Sequence, residues 1–266
     1  IDICIIRLPH ISNYTDFIPL ETLEGVSLRW CDSVPHFGNP DLLLLPGTKA
    51  TISDLRTLNK SGITHCIVDY AKSGGHILGI CGGFQMLGEK IFDREKSESL
   101  EIMEHGFNLL EMTTEFSSVK LTKQVTGRIQ AKSGSLFDPS DTISIKGYEI
   151  HHGKSTFGSA TTPFTYSQTT DGQEVLSGVY NENGNIAGTY IHGFFDSPSM
   201  VHQLLNALRN LKGLPPIDCS LFEHNEILNQ DIDRLAACVR ENVNLRAIYT
   251  ILGVEIPSYS SDGKVV

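Results

Sequence analysis

The sequence predicts an α/β fold: a flavodoxin-like, doubly wound and mostly parallel sheet, with an antiparallel β-rich insertion and C-terminal helices. Three observations carry this expectation. Through the first third of the chain, strand-like and helix-like stretches alternate, as parallel strands joined by crossover helices do. Two short continuous apolar runs, "LLLL" at 42–45 and "ILGI" at 77–80, end at glycine-bearing turns, the pattern of strands buried on both faces. Between 97 and 190 the chain becomes rich in Thr, Ser, Gly, Lys and β-branched residues and alternates with period two.

Taken in order, "DICIIRL" (2–8) and "VSLRW" (26–30) read as strands, and "PDLLLLPG" (40–47) as a buried one. "TKATISDLRTLNKSG" (48–62) reads as a helix closed by glycine, and "GITHCIVDYAKSGG" (62–75) as another. "GHILGI" (75–80) is the next buried strand, and the helix following it covers "GGFQMLGEKI" (82–91). In the insertion, "TISIKGYEIHH" and "NIAGTYIHGFF" alternate, and the Asn-Gly of "NENGN" (181–185) marks a hairpin. "SGSLFDPSDT" (133–142) reads as an exposed connection. Ser197 is placed to cap a helix that begins at Pro198 and runs to 213, and a further helix covers 229–252. One domain over 1–253 and a flexible tail over 254–266 are therefore expected.

Hydrophobic content of 40% and charged content of 20% fit an ordinary globular protein. A formal charge of −10 with no dense Lys/Arg cluster argues against a nucleic-acid partner. No apolar run approaches the roughly 20 residues that cross a bilayer, so no membrane partner is expected. The chain opens at Ile1 inside a strand-like run, which implies a piece of a longer polypeptide and a missing partner domain. Six scattered cysteines without a C-x-x-C pair read as reduced thiols in a cytoplasmic protein.

One of them stands apart. In "GICGGFQMLG" (79–88), Cys81 sits between Gly79 and Gly83 where a strand passes into a helix, the arrangement of a nucleophile elbow. Glycines there let strand and helix approach closely while the side chain projects from the sheet edge. A helix starting at this point aims N–H groups and its positive end at the sulfur, surroundings that favour a thiolate. The amide of Gly82 becomes an oxyanion donor. A core cysteine would need none of these glycines. A nucleophile also needs a base, and His192 in "GTYIHGFFD" (188–196) ends a β-rich run just before a glycine. "GYEIHHG" (147–153) is the other histidine stretch that stands out. His151, His152 and His192 lack the cysteine or carboxylate spacing of a metal site, so no metal is expected.

"GICGGFQMLG" followed by "GTYIHGFF" resembles the class I, triad-type glutamine amidotransferases, and further stretches narrow the resemblance to their CobB/CobQ-type, cobyric-acid branch. These are "LPHISNYTDFIPL" (8–20), "LLLPGTKATISDL" (43–55), "GFNLLEMTTEF" (106–116) and "GYEIHHG". The resemblance covers residues 1–250 and implies glutamine hydrolysis through a cysteine thioester. It implies Cys81 as nucleophile and His192 as base. Gly47 and Gly82 match the oxyanion donors, and Gln85 matches a residue that holds the substrate amide. The wider class carries a glutamate two residues after the histidine. Here that position is Phe194, as in the CobB/CobQ branch, so what orients His192 is open. Asp196 and Glu149 are the nearest candidates by motif position, and a Cys-His dyad is the expectation if neither serves.

The resemblance further implies L-glutamine as substrate and an N-terminal ATP-dependent synthetase domain that uses the ammonia to amidate corrinoid carboxylates. No G-x-x-x-x-G-K-[ST] phosphate loop occurs here, so ATP and Mg are expected only in that other domain and no cofactor in this chain. A glutaminase for another acceptor, such as lipid II, and a non-catalytic binding module of the same fold are the competing readings. The first lacks an explanation for "SNYTDF", the second for the joint presence of Cys81, His192 and Gln85.

Overall fold

The computed structural model describes residues 1–21, 23–137, 143–169, 172–217 and 224–254. The chain divides into two compact units, Ile1–Phe222 and Glu223–Val266, so the division falls ahead of the boundary expected at 253.

In the first unit, strands β1 (Asp2–Ile6), β2 (Ser27–Cys31), β3 (Leu42–Leu45) and β4 (Ile77–Ile80) are the four expected from the alternation. Short helices α1 (Ile18–Glu21) and α2 (Val34–Phe37) lie between the first three. Helix α3 (Thr51–Ser61) stops at Gly62, whose φ of 81° is the left-handed conformation a residue without Cβ adopts freely, and α4 (Ile63–Lys72) starts directly after it. Helix α5 is shorter than the sequence implies: it spans Gly82–Leu87, and after Gly88 the chain enters β5 (Lys90–Phe92). Strands β6 (Met103–His105), β7 (Met112–Ile129), β8 (Ile143–Phe157), β9 (Thr162–Gln168) and β10 (Glu174–Tyr180) form the insertion. Strands β11 (Ile186–Thr189) and β12 (Ile191–His192) then lead to helix α6 (Pro198–Leu211).

Among the described residues these strands join one sheet, in the order β12-β8-β7-β9-β10-β11-β4-β3-β1-β2, with β5 and β6 attached beside β7. The half β2-β1-β3-β4-β11 is parallel throughout. Its order reverses at β1, the flavodoxin-type switch at which ligand sites form outside the carboxyl ends of the strands. The other half is antiparallel apart from β5, which runs parallel to β7, and β10 meets β11 through the expected Asn-Gly hairpin. Alternate residues of each parallel strand feed two cores: Ile3, Ile5, Leu42 and Leu44 pack with α6 on one face. Cys4, Ile6, Leu43 and Leu45 pack with α3, α4 and α5 on the other. Each such buried aliphatic side chain contributes about 1.5–3 kcal/mol relative to an exposed one.

Three local expectations change. The 133–137 part of the connection is not simply exposed: Leu136 and Phe137 are buried, and the Phe137 ring packs on Phe164 at 5.7 Å; 138–142 lies outside the described residues. Ser197 occupies the N-cap position of α6, but its hydroxyl turns to the carbonyl of Ser144 (3.5 Å) and leaves the helix end uncapped by a side chain. In the second unit the helix expected over 229–252 is two, α7 (His224–Asn242) and α8 (Leu245–Leu252), because Asn244 accepts a hydrogen bond from the amide of Ala247 (3.0 Å) and starts a new helix. The tail from 255 lies outside the described residues.

Candidate active site

The carboxyl ends of β3 and β4 deliver the two turns singled out in the sequence. At the end of β4, Cys81 takes φ 53° and ψ −111°, a strained conformation for a residue with a Cβ, held because the elements on both sides are packed. The flanking glycines make that packing possible. A Cβ at Gly83 would lie 2.1 Å from the Leu45 carbonyl oxygen, and one at Gly79 would lie 2.8 Å from the Gly83 oxygen. Gly83→Ala is therefore expected to destabilise the fold by at least about 3 kcal/mol, since rigid backbone must move. A denaturant midpoint close to wild type would contradict this packing.

His192 comes from β12, which pairs with β8 so that Ile191 lies opposite Glu149 and His192 opposite Tyr148. The His192 and Tyr148 rings stack, with centroids 5.1 Å apart and planes at 14°. The tyrosine hydroxyl accepts a 2.6 Å hydrogen bond from Asn13 Nδ2. Gly47, just beyond β3, lies between the two key side chains: a Cβ built on it would be 3.1 Å from His192 Cε1 and 3.6 Å from Cys81 Cβ. Cys81 and His192, 111 positions apart in the sequence, thus meet at one sheet edge with Gly47 and Gly82 beside them. The Cys81 thiol points to the carbonyl of Ile150 on β8 (3.4 Å). Gln85 is buried, its Nε2 donating to the His152 carbonyl (3.0 Å), so it ties α5 to the wall formed by β8.

The group that orients His192 is Asp16. Its Oδ2 lies 2.7 Å from His192 Nδ1, and its Oδ1 accepts the amide of Gly193 at 3.0 Å. Gly193 has a φ of 72°, the left-handed turn that brings its amide round to the same carboxylate. Both partners are buried, His192 to 1% exposure and Asp16 to 3%. Neither candidate from the sequence fills this role, and the site is not a dyad. Glu149 follows Tyr148 on β8, so strand alternation turns it to the other face of the sheet, where it pairs with Ile191 rather than His192. There it accepts a hydrogen bond from Ser177 (2.6 Å) and lies 3.2 Å from Lys123 Nζ. Burial works to raise its carboxyl, but His151, Ser177, Ser167 and Lys123 outweigh that and hold it at about 2. Asp196 closes the turn after His192 through its amide to the Gly193 carbonyl (3.0 Å). Its carboxylate bonds neither ring nitrogen: Nδ1 pairs with Asp16, and Nε2 makes no hydrogen bond. Phe194, at the position of the wider class's glutamate, is a core side chain packed 5.6 Å from Phe164.

Asp16 lies within "SNYTDF", yet nothing in its spacing assigns it a role. The available signal is an acid placed directly before the apolar run Phe17 to Leu20, whose Phe17 and Leu20 turn out to be core side chains.

Burial disfavours protonation of His192, but the Asp16 hydrogen bond and the nearby Cys81 sulfur outweigh it and raise the imidazole to about 10. The folded value lies above the ordinary 6.5, so the associated stabilisation is fully present below pH about 6.5 and is lost as pH rises through about 10. Asp16→Asn is expected to flatten the decline in stability across that window. A variant whose pH–stability curve runs parallel to wild type from 6.5 to 10 would contradict the assignment.

Among the described residues no group of three or more His, Cys, Asp or Glu side chains is arranged to hold a metal ion. No helix among them is long and apolar enough to cross a membrane.

Comparison with known proteins bears on the arrangement of Cys81, His192 and Asp16. Residues 2–200 match the model of the CobB/CobQ-like glutamine amidotransferase domain. The chain belongs to this family. A cobyric acid synthase from Clostridium acetobutylicum is 43% identical over 256 residues, which cover 96% of this chain and 49% of that protein. One from Dehalococcoides mccartyi is 40% identical over 253 residues, 95% of this chain and 49% of that protein. The chain thus spans about half the length of the curated relatives it matches. In fold it is similar to a chain of PurLQS from Thermotoga maritima, with a TM-score of 0.59 at 19% identity, covering 78% of this chain and 98% of the other.

Proposed function

We propose that this CobB/CobQ-like domain is the glutaminase half of a cobyric acid synthase. The observation that carries the reading is the Asp16–His192 pair, set at the sheet edge that presents Cys81 on its elbow. In the proposed reaction, His192, its imidazole raised to about 10, already holds at Nε2 the proton given up by Cys81. The thiolate adds to the side-chain amide carbon of glutamine, and the amides of Gly47 and Gly82 receive the developing oxyanion. The C–N bond then breaks as the imidazolium returns its proton to the departing nitrogen, releasing ammonia and leaving a glutamyl thioester. Water, deprotonated at Nε2, cleaves the thioester; glutamate leaves and the thiol is restored. Asp16 holds the Nδ1 proton throughout, which fixes Nε2 as the nitrogen that carries protons.

The ammonia would be used by an ATP-dependent synthetase domain in the preceding half of the polypeptide to amidate corrinoid carboxylates, with ATP and Mg bound there. Support comes from the two cobyric acid synthases, of each of which this chain matches 49%. A cytoplasmic site of action belongs to the same reading, in keeping with free thiols at Cys4, Cys31, Cys66, Cys81 and Cys238. The test is glutamine hydrolysis by this chain alone, and glutamine-dependent amidation of a cobyrinic acid diamide by the full-length protein with ATP. Hydrolysis without corrinoid amidation would place the domain with another acceptor. No hydrolysis in either form would remove the reading.

A further inference from the structure

Two loops build the front of the site. The 8–12 loop leads to Asp16, and the 46–50 loop carries Gly47. They run side by side: Ser12 N donates to the Gly47 carbonyl (2.9 Å) and Lys49 N to the His10 carbonyl (3.0 Å), with Ile11 and Thr48 as a bridging pair. Neither loop lies within a strand or helix that would hold it. Their common anchor is Asp54, on the first turn of α3 and 0% exposed. Its Oδ2 accepts from Thr48 Oγ1 (2.5 Å) and from the His10 amide (3.2 Å), and its Oδ1 lies 2.7 Å from His10 Nδ1. Thr48 Oγ1 in turn accepts the Ala50 amide (3.1 Å). The methyl of Thr48 presses on the other side of the site, since a Cβ at Gly82 would lie 2.7 Å from Thr48 Cγ2. One threonine therefore touches Gly82 with its methyl and the buried aspartate with its hydroxyl, and it is bonded in sequence to Gly47.

A buried acid is costly unless its oxygens are hydrogen-bonded, and hydrogen bonds fix direction where apolar contact does not. We infer that Asp54 is a positioning residue for glutamine hydrolysis, acting through Thr48 and His10 to hold the Gly47 and Gly82 amides where the oxyanion forms. The inference rests on the glutaminase reading above. Oxyanion donors act on the transition state, so a loop displaced by a fraction of an ångström lowers turnover without weakening substrate binding.

The test compares Thr48→Val, which keeps shape and methyl but loses the hydroxyl, with Thr48→Ser, which keeps the hydroxyl. Thr48→Val is expected to lower kcat for glutamine hydrolysis between about 10- and 100-fold at unchanged KM, and Thr48→Ser to stay within about threefold. Asp54→Asn should follow Thr48→Val. Alkylation of Cys81 by iodoacetamide, which needs the nucleophile and no oxyanion, should keep its wild-type rate in all three, whereas a glutamine-like chloroketone should react more slowly with Thr48→Val. Equal turnover in Thr48→Val and Thr48→Ser would overturn the inference, as would a parallel loss of iodoacetamide reactivity, which marks general disorder of the site. A wild-type chain that neither hydrolyses glutamine nor takes the chloroketone would remove the glutaminase reading, and this inference with it.

Discussion

Replacing Cys81 by serine is expected to lower glutamine hydrolysis by roughly 10⁴-fold or more, because a hydroxyl gives up its proton far less readily than a thiol and is the weaker nucleophile in a site built around sulfur. The serine hydroxyl is nearly isosteric, so the strained φ of 53° and the packing of α5 on β3 should survive, and the unfolding midpoint should stay near wild type. In the full-length protein, free ammonia should still support amidation, since only ammonia release uses the sulfur. Equal loss with glutamine and with ammonia would make Cys81 a structural residue. Comparing the two nitrogen sources at matched ATP separates these outcomes.

Asp16→Asn is the second large effect. The side chain keeps its shape and can still accept the Gly193 amide. Its amide group, however, can donate to Nδ1 of His192, which favours the tautomer with its proton on Nε2 and spoils that nitrogen as a base. Loss of an orienting carboxylate in the serine-protease template costs about 10⁴ in turnover, and a fall of roughly 10³–10⁴-fold in kcat is expected here. Cys81 should also alkylate more slowly in this variant, because His192 is then a poorer acceptor for the proton on the sulfur. Asp196→Ala should change turnover far less, as its carboxylate does not bond the ring. Near-normal kcat in Asp16→Asn would restore the dyad that the sequence alone implied.

The parallel half was legible because each signal there is local. Leu42–Leu45 and Ile77–Ile80 are short apolar runs ended by a glycine turn or the elbow, and burial on both faces leaves such runs no other place in the fold. The elbow was legible for the same reason: Gly79, Cys81 and Gly83 lie within five residues, and their spacing states the close approach directly. Helix ends were less so. Gly88 stops α5 at Leu87, and Asn244 divides the last helical stretch, both through hydrogen bonds that periodicity does not register.

The carboxylate that pairs with His192 was not legible. Asp16 and His192 are 176 positions apart, and their contact depends on a short 3-10 turn, Tyr14–Phe17, folding against the turn after β12. Motif position favoured Asp196 and Glu149, which are close to His192 or to its partner strand in sequence. Strand alternation sends Glu149 to the opposite face, and the left-handed turn at Gly193 offers its amide, along with the ring, to Asp16 instead. Proximity in the chain was a poor guide to proximity at the imidazole.

The most direct test of the account is an acid quench of the chain during turnover of labelled glutamine, followed by digestion and location of the glutamyl group. A thioester on Cys81 is expected in wild type, none in Cys81→Ser, and slow formation in Asp16→Asn. Ammonia released at the wild-type rate with no adduct on Cys81, or with Cys81 replaced by serine, would contradict it.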